Sequence, residues 1–157
     1  MQDREKIYLT KEGKEKLLIE LEDLEGPQRL EIAARLKSAI EMGDLSENAD
    51  YHKAKEDQGF LEGKILEIKY TLDFAIIVEE NGHGRDIVRV GCNVTVQEED
   101  FPPETYYLVG SREADPTENM ISHVSPIGKA LMDKEIGDIV EVTTPGGEYT
   151  LKILDIQ

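Results

Sequence analysis

Residues 42–75, MGDLSENADYHKAKEDQGFLEGKILEIKYTLDFA, decide the fold. Along them Ala54, Gln58, Leu61, Ile65, Ile68, Leu72 and Ala75 recur at alternating spacings of four and three, with charged residues on the other faces, which is the seam of a coiled coil. One helix cannot bury such a stripe alone. Upstream, Thr10 is a predicted N-cap after the apolar Ile7-Tyr8-Leu9, and Leu17, Leu21 and Leu24 follow at helical spacing. Gly26-Pro27 should interrupt or bend this first helix, because proline donates no amide hydrogen and restricts the residue before it. The pattern then resumes through Leu30, Ile32, Ala33, Leu36, Ala39 and Ile40. Met42 to Ser46 leaves room only for a tight reversal, so the two runs predict an antiparallel coiled-coil hairpin roughly 45 Å long at about 1.5 Å per residue. Gly59 and Gly63, inside the second helix, cost about 1 kcal/mol each relative to Ala, and the sequence offers no reason for them.

Past Val78 the period changes from helical to alternating. Asn81-Gly82-His83-Gly84 is a loop signal, and Val90, Cys92, Val94 and Val96 then alternate with Gly91, Asn93, Thr95 and Gln97 as a half-buried strand does. Further strands are expected over 105–109, 120–124, 139–143 and 149–156, the last two joined by a Pro145-Gly146-Gly147 turn. Ser125-Pro126 supplies an N-cap and a first helical position for a short helix reaching Leu131. The sum is an α+β chain: a helical hairpin over 1–78, and over 79–157 a mainly antiparallel sheet carrying one short helix.

Composition narrows the function. The 157 residues carry 34 acidic against 18 basic side chains, a net charge of −16, which disfavours duplex DNA because phosphate neutralisation needs Lys and Arg. Residues 1–75 hold −6 of this and residues 76–157 hold −10. The longest strongly apolar run, Phe74 to Val78, is far short of the roughly 20 residues of a membrane span, and no signal peptide is evident, so a cytoplasmic protein without membrane contact is expected. A single cysteine, Cys92, excludes an internal disulfide framework and a Cys-rich zinc site, and His52, His83 and His123 lack paired ligand spacing. Cys92 and His123 read as packing or surface residues.

Chemistry concentrates at the reversal. Asp44 and Glu47, three apart, can project from one end of the hairpin, with Asp50 a turn further on. The same spacing also describes a capping box, Asp44 as N-cap and Glu47 at the third helical position. Two exposed carboxylates hold Mg²⁺ weakly, since the ion takes six oxygen ligands, so any metal chemistry must be completed by a partner. Below the tip Arg35 and Lys37 fall opposite Lys53 and Lys55, either as a basic collar or as i,i+4 pairs: Glu31 with Arg35, Lys37 with Glu41, Lys53 with Asp57.

The run Gly43 to His52, continuing through Gln58-Gly59-Phe60, resembles the hairpin signature of the bacterial Gre transcript cleavage factors, a transcription elongation factor family, and is nearest the GreA type. Val109-Gly110-Ser111, Glu113-Ala114-Asp115, Ser125 to Leu131, Gly137-Asp138 and Thr144 to Gly147 follow in the family order. The resemblance implies a C-terminal domain of FKBP-like fold and a monomer that binds the bacterial RNA polymerase elongation complex. By that likeness the factor enters the secondary channel and stimulates the polymerase's own cleavage of backtracked RNA at its 3′ end. It is then no stand-alone nuclease. Asp44 and Glu47 match the tip acids that help hold Mg²⁺ shared with the polymerase, an ion the chain would not bind stably alone. Arg35, Lys37, Lys53 and Lys55 lie where the family contacts RNA, and Ser125, Pro126 and Ile127 match the polymerase-docking loop. Two alternatives remain: a channel-occupying homologue that inhibits without cleaving, and a prolyl isomerase or holdase suggested by fold analogy alone.

Overall fold

The computed structural model describes residues 6–79 and 86–157; the loop signal at 81–84 lies outside the described residues. Two compact units emerge. One is Lys14–Phe74, and the other joins the chain before it, through Gly13, to everything from Ala75 onward. The division is thus not the sequential one at residue 78, because the short segments flanking the helices belong with the sheet.

In the helical unit α1 (Lys11–Asp23) runs through a π-helical turn (Leu24–Gln28) into α2 (Arg29–Glu41). Pro27 sits inside that turn. The regular α-helix is interrupted at Gly26-Pro27 as expected, and the wider i→i+5 turn absorbs a residue that cannot donate to the α-helical ladder, so the chain stays helical through it. Helix α3 (Ala49–Phe74) spans 26 residues, roughly 39 Å at 1.5 Å each, and packs against α2. Its seam follows the predicted one through Ala54, Leu61, Ile65 and Ile68, all buried, and then Thr71 is buried where Leu72 was expected, with Ala75 past the end of the helix. On the facing side Leu17, Leu24, Ile32 and Ala39 are buried, whereas Leu30 and Ile40 are exposed and lie off the seam. Ion pairs brace the two sides: Arg29 Nε and Nη2 donate to Glu62 Oε1 and Oε2 at 2.8 and 2.7 Å, and Lys69 pairs with Glu25.

The other unit holds a five-stranded sheet in the order β5-β4-β3-β7-β6, built from β3 (Asn93–Gln97), β4 (Glu104–Val109), β5 (Met120–Ser122), β6 (Ile139–Thr144) and β7 (Gly147–Ile156). All neighbours are antiparallel except β4 and β5. Val94, Val96, Val142, Leu151 and Ile153 alternate into the core and meet Leu131 of α4 (Pro126–Leu131). Ser125 caps α4 as expected, its Oγ accepting from Gly128 N at 3.1 Å. A Cβ on Gly128 would stand 2.0 Å from Ser122 O, so glycine there lets the helix lie directly on the chain. One feature escaped the sequence reading: Tyr8–Thr10 forms a strand, β1, that pairs in parallel with β2 (Ile76–Val78).

Candidate functional site: the hairpin tip

Helix α2 ends where Met42 N and Gly43 N donate back to Ala39 O and Ile40 O, and Gly43 takes φ +117°, a backbone angle open to glycine. Asp44 then folds an Asx turn. Its Oδ1 accepts from Ser46 N at 3.0 Å and Ser46 Oγ at 2.8 Å, and these two donors hold its carboxyl below the usual 3.8. Asp44 is therefore ionised at neutral pH.

The capping box does not form. Asn48 caps α3 instead, its Oδ1 accepting from Tyr51 N at 3.1 Å while its Nδ2 donates to Ala39 O at 2.8 Å across the reversal. One side chain thereby closes the start of α3 and the end of α2 together. Asp44 and Glu47 are left in the loop, outside the helix, and both are exposed. Glu47 has no hydrogen-bond partner among the described residues, and Asp50 lies on the exposed first turn of α3. His52 Nε2 lies 3.4 Å from Ser46 O, and its ring meets Tyr51 edge-on.

Magnesium prefers hard oxygen donors in an octahedral shell. Among the described residues no three His, Cys, Asp or Glu side chains gather into a metal-holding group. The tip's two solvent-facing carboxyl groups could give such an ion only a partial donor set, and the remaining ligands would have to come from elsewhere.

Of the collar residues, Arg35 reaches across the hairpin, Nη2 donating to Asp57 Oδ2 at 2.8 Å, so the expected pair with Glu31 is not made. Lys53 Nζ lies 3.1 Å from Asp57 Oδ1, the expected i,i+4 pair. Asp57 therefore gathers Arg35 and Lys53, and its carboxyl is held below 3.8 first by the Arg35 hydrogen bond and then by Lys53. Lys55 donates to Gln58. Lys37 is exposed, with no polar partner among the described residues. Sequence reading gave Asn48 no role, and it gave Asp57 only the pair with Lys53 and not the bond to Arg35. An Asn directly before a helix-forming run was the available signal for the first.

In the sheet unit, Ser125 Oγ also donates to Ser122 O at 2.7 Å, which fixes the loop into α4. Pro126 is exposed and Ile127 packs partly against the core. His123 stacks edge-on against Tyr8 at 5.0 Å and Cys92 is buried, in keeping with packing roles. No helix among the described residues is long and apolar enough to cross a membrane.

The hairpin thus ends in two exposed carboxylates, and in sequence it is joined to a sheet unit whose α4 is entered through a capped loop. Comparison with known proteins places the chain. Residues 7–77 match the family model "Transcription elongation factor, N-terminal", and residues 83–157 match "Transcription elongation factor, GreA/GreB, C-term". The chain is 44% identical over 158 residues to transcription elongation factor GreA of Acetivibrio thermocellus, covering 100% of this chain and 99% of the relative. To the GreA of Clostridium botulinum strain Alaska E43 it is 48% identical over 158 residues, with the same coverage. A solved structure of GreA factor homolog 1 from Thermus thermophilus is 26% identical, covering 98% of this chain and 99% of that one, with a TM-score of 0.44. The chain belongs to the GreA/GreB family of transcription elongation factors.

Proposed function

We propose that this elongation factor binds the bacterial RNA polymerase elongation complex as a monomer, enters its secondary channel, and stimulates Mg²⁺-dependent cleavage of backtracked RNA. The observation that carries the reading is the pair Asp44 and Glu47, held outside the helix at the end of a long hairpin and exposed, with the Asp44 carboxyl pushed down by the Ser46 donors of its own turn. In this reading both carboxylates help hold a magnesium ion shared with the polymerase. The ion, when bound, supplies charge stabilisation and an activated water for phosphodiester hydrolysis. The chain's own task is to present the two acids to solvent at the reversal. Rigidity comes from Asn48, which ties the loop to both helices. Ser125, Pro126 and Ile127 form the docking loop on the polymerase. Lys37, exposed and with no polar partner among the described residues, is the collar residue with most freedom to meet an RNA phosphate, whereas Arg35 and Lys53 are already engaged by Asp57. A chain of net charge −16 repels free RNA, which accords with action on RNA that the polymerase already holds.

The test is a cleavage gel with purified, stalled complexes and Mg²⁺. Wild-type protein is expected to shorten the nascent RNA from its 3′ end, and the Asp44→Ala, Glu47→Ala double variant to lose that stimulation while still competing for polymerase. Undiminished cleavage by the double variant would remove the mechanism. Binding without cleavage by the wild type would favour the inhibitor reading.

A further inference from the structure

A pocket of about 210 Å³ opens on the sheet unit, between the N-terminal end of α4 and the strands. Its walls include Phe101, Tyr106, Tyr149 and Ile127, and its polar lining includes Glu98 and Glu104. No basic residue lines it. The volume lies below the roughly 300 Å³ at which small-molecule pockets begin, and suits a single side chain.

Two observations make the pocket chemically specific. Glu98 and Glu104 have no cationic partner among the described residues, whereas Glu20, Glu25, Asp57 and Glu62 of the hairpin each have one. Both carboxylates also act on the aromatic walls. Tyr106 donates to Glu104 Oε2, and burial, reinforced by that bond, pushes its phenol up to about 12. Tyr149 is raised by burial and then by the fields of Glu98 and Glu104. The rings therefore stay neutral, keeping π-faces beside two negative charges.

We infer that this pocket receives an arginine side chain from a protein partner. A guanidinium is planar and weakly hydrated, stacks on tyrosine and phenylalanine faces, and pairs with carboxylates through two parallel donors. Glu98 and Glu104 supply the acceptors, and Phe101 is exposed at the rim, where a stacked ring would lose solvent contact. The net −10 of residues 76–157 draws a basic segment toward this unit. The inference concerns a pocket on the sheet unit alone and stands whether or not the tip stimulates cleavage.

Titration of the full chain with N-acetyl-arginine amide, followed by amide and tyrosine ring shifts in NMR, tests it. Saturable shifts confined to the pocket walls are expected, weakened roughly tenfold by Glu98→Gln with Glu104→Gln. N-acetyl-citrulline amide, the same shape without the charge, should shift the walls little. Three results would overturn the inference: no saturable shift with the arginine probe, equal binding of the citrulline probe, or equal binding by a Gln double variant whose circular dichroism matches wild type.

Discussion

Glu113 accepts the backbone N–H of Thr10 at 2.9 Å and the Thr10 hydroxyl on its other oxygen, across 103 residues of sequence. The same hydroxyl oxygen accepts from Gly13 N at 3.0 Å, which makes Thr10 the N-cap of α1. A Cβ on Gly13 would stand 2.3 Å from the Glu113 carboxyl, so the carboxylate lies directly over the first turn. Cap and clasp are one arrangement. Thr10→Ala removes the cap and strips one donor from the carboxylate. It is expected to destabilise by about 1–3 kcal/mol in urea unfolding, with Thr10→Ser recovering most of the loss.

The hairpin is expected to weaken in acid. Glu62 is held below its usual 4.5 by the Arg29 hydrogen bond, and Asp57 below 3.8 by Arg35 and then Lys53. Carboxyls depressed in the folded state contribute stability that is present above their unfolded values and is lost as pH falls through the folded ones. Thermal melts by circular dichroism should therefore hold from pH 7 to about pH 5 and then decline. The decline should be shallower in Asp57→Asn with Glu62→Gln, which starts less stable at neutral pH.

Asn48 makes the tip a single unit, so its removal should be felt by both helices. Asn48→Ala is expected to cost about 1–3 kcal/mol, since it leaves Tyr51 N without its acceptor and takes from Ala39 O one of its two donors, Met42 N remaining. Hydrogen exchange should show faster exchange at the amide of Tyr51 in the variant. Asn48→Asp keeps the cap acceptor but not the donor to Ala39 O, and should fall between the two.

Gly59 and Gly63 have nothing within 4 Å of where a Cβ would be. Packing inside this chain does not require them. Gly59→Ala and Gly63→Ala are each expected to stabilise the hairpin by about 0.5–1 kcal/mol in chemical unfolding. A variant that gains stability yet loses the cleavage stimulation proposed above would assign the open space over that face of α3 to the proposed polymerase contact.

Local repetition carried most of the architecture into the sequence. Ile65 and Ile68 of α3 are buried because spacings of three and four place them on one stripe, and Val94 and Val96 of β3 because alternate residues share a face. Thr10 and Ser125 could be assigned as caps for the same reason, since a cap and the amide it serves lie three residues apart. The tip acids were legible as residues, but not their setting. Asp44 and Asn48 are both acceptable N-caps, and the choice fell to Asn48, which alone donates to Ala39 O on the preceding helix.

By itself the sequence determined the helical hairpin, the sheet strands and the acidic reversal, because those depend on periodicities and turn preferences that act within a few residues. Only the tertiary structure decided that β1 pairs with β2, that Glu113 clasps Thr10, that Arg35 reaches Asp57 across the hairpin, and that Glu98 and Glu104 meet Tyr106 and Tyr149 around one pocket. These contacts join residues distant in sequence or on opposite helices, and a carboxylate's partner is whichever donor the closed chain brings within hydrogen-bond reach, which no local spacing specifies.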